Sequence, residues 1–217
     1  EPYRRQRQMC IRDSTTPIIE EYRSKVQPGD IKYVDLNGDG KITATDDRCY
    51  IGSSIPRYNY TIGLNAAWRG LDFSLLLQGV GKCAGYIGGM GRHAFTELAN
   101  YPQKAHLDRW TWENQNPNAS YPRFTYDETY NRDEFSSFWI EDAAYLRIKN
   151  LQIGYTIPRQ GLISKLHIEN LRVYFSGENL WTLTDFFPSY DPEIPISDGG
   201  YYPITSSYSI GLSITFK

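Results

Sequence analysis

The last strand-like segment of the chain constrains its fold most. From Ser207 to Phe216 it reads Ser-Tyr-Ser-Ile-Gly-Leu-Ser-Ile-Thr-Phe. Tyr208, Ile210, Leu212, Ile214 and Phe216 alternate with Ser207, Ser209, Gly211, Ser213 and Thr215. A strict period of two puts every apolar group on one face of an extended strand. A strand that crosses a bilayer needs about 9–11 residues, against about 5–6 in soluble sheets. Tyr208 and Phe216 stand near the two ends, where an interfacial aromatic girdle belongs. The expectation is a membrane-crossing β-strand with these five side chains facing lipid.

Four further segments repeat the pattern. Tyr58, Tyr60, Ile62, Leu64, Ala66 and Trp68 alternate with Asn59, Thr61, Gly63, Asn65 and Ala67. After Arg69-Gly70, Leu71, Phe73, Leu75 and Leu77 share one parity, with Leu76 the exception on the other. Leu151, Ile153, Tyr155 and Ile157 form a third row, while Leu146 and Ile148 upstream hold the opposite parity. That switch predicts a bulge or the membrane boundary near Lys149-Asn150. Leu171, Val173 and Phe175 form the fourth row. The opposite face then carries Thr61, Asn65, Asp72, Ser74, Gln78, Gln152, Arg172 and Ser209, which would line a lumen.

The connections sort by length. Arg69-Gly70 is very short and Pro158 to Asn170 modest, whereas 29–57, 79–144 and 179–206 are long. Outer-membrane barrels have short periplasmic turns and long extracellular loops. The fold class expected is therefore all-β: an antiparallel transmembrane β-barrel segment of about five long strands with long extracellular loops. Five strands do not close a barrel, and lipid does not tolerate open edges. The segment is expected to be an incomplete, C-terminal portion of a larger barrel.

Composition narrows the alternatives. A net charge of −2 leaves no electrostatic footprint for nucleic acid. No apolar run approaches the roughly 18 residues of a membrane helix, which says nothing against strands that alternate. The 18 Tyr and 5 Trp suit interfacial belts or carbohydrate-contacting loops. Cys10, Cys49 and Cys83 are odd in number and lack C-x-x-C spacing, so a disulfide framework or zinc site is not expected. His93, His106 and His167 have no metal-ligand spacing and read as surface histidines. Residues 1–14 are basic, without strand or helix period or the apolar core of a signal peptide. They read as a non-native or misassembled leader, with residues 15–217 as the barrel portion.

Several segments, taken in order, resemble the C-terminal region of the SusC/RagA family of TonB-dependent outer-membrane transporters of Bacteroidetes. They are Pro28-Gly29-Asp30-Ile31-Lys32-Tyr33, Asp35-Leu36-Asn37-Gly38-Asp39-Gly40-Lys41-Ile42, Ile51-Gly52-Ser53 and Pro56-Arg57-Tyr58. Phe73 to Gly79, Arg109-Trp110, Tyr121-Pro122-Arg123, Tyr145 to Leu151, Ser176 to Leu180 and Tyr190-Asp191-Pro192-Glu193 follow. The resemblance implies a 22-stranded barrel with an N-terminal plug and a SusD-like surface lipoprotein as lid. It implies TonB-energised import of oligosaccharides or peptides, the TonB complex acting through an N-terminal part missing here.

Two patterns suggest chemistry. Asp35, Asn37, Asp39, Lys41 and Asp46 occupy positions 1, 3, 5, 7 and 12 of an EF-hand-like loop, with Gly40 at the sharp turn. Lys41 would contribute its backbone carbonyl, and the expected ligand is Ca²⁺. The plainer alternative is a turn closed by Asx hydrogen bonds. Trp110, Trp112, Tyr121, Phe124, Tyr126 and Tyr130 cluster in a long loop, as contacts for a glycan, peptide or lid protein, or as the loop's own small core. Asp127-Glu128, Asp133-Glu134 and Glu141-Asp142 suggest no catalytic pair over ordinary solvated charges, and nucleophile-elbow, phosphate-loop and dinucleotide signatures are absent. No catalytic residue is expected. The rival readings are a soluble calcium-dependent carbohydrate-binding β-sandwich and a glycoside hydrolase.

Overall fold

A computed structural model describes residues 17–43, 45–95, 101–126, 131, 136–159 and 167–216. The supposed leader, 1–14, lies outside them, as do Tyr130 and the Asp127-Glu128 and Asp133-Glu134 pairs. The strands in chain order are β1 Tyr58–Trp68, β2 Leu71–Gly81, β3 Ala84–Ile87, β4 Ile140–Asp142, β5 Tyr145–Ile157, β6 Ile168–Thr184, β7 Ile196–Ser197 and β8 Ser207–Phe216. Two compact units emerge: residues 1–52, 86–140 and 196–200, and residues 53–85, 141–195 and 201–217.

The second unit holds one five-stranded antiparallel sheet in the order β1-β2-β5-β6-β8. Its strands run 11, 11, 13, 17 and 10 residues, bilayer-crossing lengths rather than soluble ones. β1 and β2 meet through a two-residue turn in which Arg69 (φ 48°) and Gly70 (φ 87°) both lie in the left-handed region. Two positive φ values are what a tight hairpin of right-twisted strands requires. Tyr58–Gly81, Val80–Tyr145 and Tyr145–Thr184 pair at one end of the sheet, and Trp68, Leu71, Ile157 and Leu171 lie towards the other. The long connections leave from the first end and the short ones from the second, as the loop lengths implied.

Register turns five separate alternations into two faces. Ala66, Phe73, Ile153, Phe175 and Ile210 are matched strand to strand, as are Trp68, Leu71, Tyr155, Val173 and Leu212. Directly opposed residues project to the same side, so one face is apolar across all five strands. Asn65, Ser74, Gln152, Ser176 and Ser209 form a matching row on the other face.

The parity switch near Lys149 is a bulge. Leu76 pairs with Asn150 and Leu77 with Ile148, which leaves Lys149 unopposed. The extra residue returns Leu146 and Ile148 to the apolar face, opposite Leu183 and Trp181 of β6. On β6 the same irregularity is absorbed at Asn179, whose φ is 50°. β6 therefore extends to Thr184, well past the Leu171–Phe175 row legible in the sequence.

The first unit is loop-rich. Ile31, Trp110, Ala119, Tyr121, Phe138 and Trp139 form its core, with Tyr33, Tyr86 and Phe124 packed against it. Gly29 (φ 93°) faces the Trp110 ring so closely that a Cβ there would stand 2.3 Å from Cε3. Only glycine satisfies both the dihedral and the approach. β3 and β7 pair in parallel through Tyr86–Ile196 and Ile87–Ser197.

Candidate functional site

The sheet presents an uncovered apolar face and a polar face with built ion pairs. Tyr208, Ile210, Leu212, Ile214 and Phe216 are all exposed, and so are Ile62, Leu64, Trp68, Ile153, Tyr155, Val173 and Trp181 of the same face. None of the five closing-strand side chains is packed into a core of this chain. An apolar surface that spans five strands is far beyond what a water-facing protein leaves bare.

On the polar face, Asp72 of β2 and Arg172 of β6 join across β5. Arg172 Nε donates to Asp72 Oδ1 at 2.8 Å and Nη2 to Oδ2 at 2.5 Å. Gly154 of β5 lies beneath, and a Cβ there would meet both side chains at 2.5 Å. Arg172 also stacks over the Tyr174 ring at 4.8 Å. Further along β5 towards the long-loop end, Arg147 is the centre of a larger cluster. Its Nη2 reaches both oxygens of Asp191 at 2.8 and 2.9 Å, its Nη1 reaches Glu193 Oε1 at 2.7 Å, and its Nε reaches Thr182 Oγ1 at 2.8 Å. Lys149 adds a bond to Glu193 at 3.1 Å. The sequence reading missed both arrangements. A charged residue within a strictly alternating strand was the available signal for each.

The first unit brings three of the resemblance motifs together. Asp30 accepts from Arg123 Nε at 2.7 Å, from Asn131 Nδ2 at 2.6 Å and from the Gln27 amide at 2.8 Å. Asn131 Oδ1 in turn accepts the Ile31 amide at 2.7 Å, and its carbonyl accepts Trp139 Nε1–H at 2.7 Å. Asp30 is buried, so this full set of donors is what keeps its charge tolerable. Of the aromatic candidates, Trp110 and Tyr121 are buried in this core and Phe124 is partly so, whereas Trp112 and Tyr126 are exposed. Among the described candidates, the latter two are the most open to an outside molecule.

Two of the histidines correct the surface reading. His93 and His106 are buried, and only His167 is exposed. His106 Nδ1 accepts the Gln103 amide at 2.8 Å and Nε2 bonds the Arg92 carbonyl at 2.7 Å. That pair of partners fixes the neutral Nε2–H tautomer, and burial pushes the imidazole pKa below its ordinary value. Loop aromatics cover both rings: His93 stands edge-on to Trp139 and His106 to Tyr121.

The acidic loop is ordered by its own side chains. Asp35 accepts the amides of Gly38 at 2.6 Å and Gly40 at 2.7 Å, Asn37 that of Asp39 at 3.0 Å, and Asp39 that of Lys41 at 2.8 Å. The loop is closed by Asp47, which takes the amides of Leu36 and Thr43 at 2.8 and 2.7 Å. Those two amides, Thr43 first, hold its carboxyl below the usual carboxylate range. Asp46 instead engages Thr43 Oγ1 at 3.1 Å. Among the described residues no three His, Cys, Asp or Glu side chains are gathered as a metal site. Every oxygen acceptor keeps a second lone pair, so the donor chemistry suits a hard cation.

No family model matches the chain. Curated relatives do. It is 30% identical over 205 residues to TonB-dependent receptor P3 of Formosa agariphila, which covers 87% of this chain and 19% of that protein. Over 204 residues it is 32% identical to TonB-dependent receptor P26 of the same organism, covering 87% and 20%. TonB-dependent receptor SusC of Bacteroides thetaiotaomicron is 22% identical over 198 residues, covering 90% and 18%. The chain thus spans about a fifth of the length of the curated relatives it matches. Among solved structures, the RagAB peptide importer in its open-open state superimposes with a TM-score of 0.61 at 24% identity, covering 85% of this chain and 20% of that one. The RagAB peptide transporter gives 0.61 at 23%, covering 84% and 20%.

Proposed function

We infer, for a chain related along 87% of its length to TonB-dependent receptors of the SusC kind, that it forms part of the barrel wall of an outer-membrane nutrient importer. The observation that carries this reading is the single apolar face shared in register by all five long strands. Lipid is the solvent for that face, and the polar face lines the lumen. Relatives of this kind are outer-membrane transporters and not enzymes. A soluble sandwich or a glycoside hydrolase explains neither the strand lengths nor the sorted connections nor these relatives.

The imported solute is an oligosaccharide or a peptide. A SusD-like surface lipoprotein is the partner, and the exposed Trp112 and Tyr126 of the first unit are candidate contacts for it. Coupling to TonB belongs to parts of the relatives with which this chain does not align. Calcium is the proposed ligand of the Asp35–Asp47 loop, where it would draw Asp35, Asn37, Asp39 and the Lys41 carbonyl together and stiffen an outer segment.

Deletion of the full-length gene tests the function. The expected result is lost growth on one class of polymeric glycan or peptide as sole nutrient, with the wild-type protein in the outer-membrane fraction and released only by detergent. Release by high salt alone would overturn the barrel reading. Unchanged uptake of every glycan and peptide tried would overturn the importer reading.

A further inference from the structure

We propose that residues 185–195 form a strap folded over the polar face of the sheet, held there by Arg147 as a positioning residue, and that this strap narrows the outer mouth of the lumen. The proposal rests on the polar face being the lumen side.

The path of the chain gives the first reason. Thr184, after which the strap begins, is matched with Tyr145 at the end of the sheet. Asp191 and Glu193 nevertheless bond Arg147, two residues further into β5. The segment therefore turns back over the sheet instead of continuing away from it.

Burial gives the second. Arg147 shares a polar-face row with Gln78 and Thr182, both partly exposed. Its own side chain is only 3% exposed. A strand in a sheet with an open face does not bury an arginine to that degree; the strap supplies the cover. Taking a guanidinium out of water is costly unless its donors are satisfied. Here Nε, Nη1 and Nη2 all have acceptors, three of them carboxylate oxygens. Arg147 and Lys149 balance Asp191 and Glu193 in charge.

The strap is also ordered within itself. Asp191 Oδ1 accepts the Glu193 amide at 2.9 Å, the Asp191 carbonyl accepts the Ile194 amide at 3.0 Å, and the Tyr201 hydroxyl accepts the Asp191 amide at 2.5 Å. Phe186 is buried against Gly85, where a Cβ would meet its ring at 2.3 Å. A segment with its own turn, in which the Arg147 guanidinium makes three of the four ionic hydrogen bonds to the sheet and Lys149 the fourth, is a strap that one side chain can largely release. Without the guanidinium, Asp191 and Glu193 face each other with Lys149 as the remaining cation.

The experiment uses the full-length receptor in its own outer membrane. Hydrogen exchange reads the strap, and maleimides of two sizes, one carrying a polyethylene glycol tail, read access to a cysteine placed at Gln78→Cys on the polar face. In Arg147→Met, exchange at residues 190–194 should rise by about tenfold or more, since even one lost charge-assisted hydrogen bond exceeds the roughly 1.4 kcal/mol that a factor of ten represents. The bulky maleimide should gain on the small one in the same variant, and Arg147→Lys should restore part of both effects. Faster exchange with an unchanged ratio of the two labelling rates would overturn the constriction. Unchanged exchange would overturn the clamp itself. Ile210→Cys, on the apolar face, separates the underlying reading: if it labels from outside while Gln78→Cys does not, the polar face is not the lumen and that reading fails first.

Discussion

Asp72 and Arg172 belong to strands that are not neighbours, and their ion pair closes over the bare backbone of Gly154 on the strand between. The pair ties three strands in one register. A single-residue slip of β5 would bring Ile153 or Tyr155 under the bridge and send apolar groups to the wrong face.

Replacing Gly154 should therefore cost more than breaking the pair. Gly154→Leu forces a branched side chain under the bridge, and overpacking of that kind costs roughly 1–3 kcal/mol. The pair itself is partly exposed, 25% and 35% for the two side chains. Solvent screening keeps its coupling small. A double-mutant cycle of Asp72→Asn and Arg172→Gln in the full-length receptor, read by the urea midpoint of the folded barrel, checks the coupling, and the midpoint of Gly154→Leu in the same assay checks the packing cost.

Leu212→Arg should block stable assembly, at roughly 2–4 kcal/mol for a charge on the lipid face near the midplane. The control on the other face needs care. Ser213 is matched with Arg172, so Ser213→Arg would set two like charges side by side. Ser209, matched with Ser176, is the cleaner position. Ser209→Arg should assemble well above Leu212→Arg, measured as the folded fraction in isolated outer membranes. Equal yields would reverse the faces assigned here.

Which features were legible in the sequence follows from how local their causes are. The bounds of β1 and β8 and the bulge at Lys149 are written in parity, which a reader of neighbouring residues can see. The second half of β6 was hidden because Gly177-Glu178-Asn179 breaks the alternation, and only the left-handed φ of Asn179 shows why the strand survives it. Arg147 could not be recognised as an anchor because Asp191 and Glu193 stand 44 and 46 residues away. His93 and His106 looked superficial for a similar reason: the aromatic segments that cover them come from elsewhere in a long connection. In the acidic loop the spacing was legible, while the part of Asp47, which holds the Leu36 and Thr43 amides one residue past Asp46, was not.

The loop core of the first unit should fail at Asp30 and Gly29. Asp30→Ala strands the Arg123 guanidinium, whose side chain is 19% exposed, together with the Asn131 amide, and removing one partner of a buried pair costs roughly 3–5 kcal/mol. Gly29→Ala drives a methyl into the Trp110 ring at a positive φ. Both variants should leave the barrel folded and make the connection 101–126 sensitive to brief external proteolysis. Resistance equal to wild type would contradict the packing described.

The same core should weaken in acid through His106. Its folded pKa lies below the ordinary value, chiefly because it is buried. The unfolded segment therefore binds the proton first, and stability falls as pH drops below about 6.5 until the folded imidazole also titrates. Protonation at Nδ1 would also break the bond from the Gln103 amide. Amide exchange near residues 103–110 should accelerate between neutral and mildly acidic pH, and His106→Gln should flatten that dependence. An unchanged slope in the variant would assign the effect to another group.

The acidic loop makes the last prediction, and Asp46 against Asp47 decides how it is read. Calcium uptake needs oxygens from Asp35, Asn37, Asp39 and the Lys41 carbonyl, with a carboxylate to close the shell. All are short side chains on an exposed loop without flanking helices, so affinity belongs in the weak range of roughly 10⁻⁴–10⁻³ M seen in extracellular modules. Calorimetry on the full-length receptor should show uptake at millimolar calcium that Asp35→Ala and Asp39→Ala abolish. Asp47 already holds the Leu36 and Thr43 amides, so Asp47→Ala should loosen the loop with or without the ion. Asp46, engaged only with Thr43, is free to swing to the ion at little cost. Asp46→Ala should therefore weaken calcium uptake while leaving the metal-free loop as stable as before. No heat at millimolar calcium would leave a turn held by Asx bonds alone, and uptake that survives both Asp35→Ala and Asp39→Ala would move the ion elsewhere.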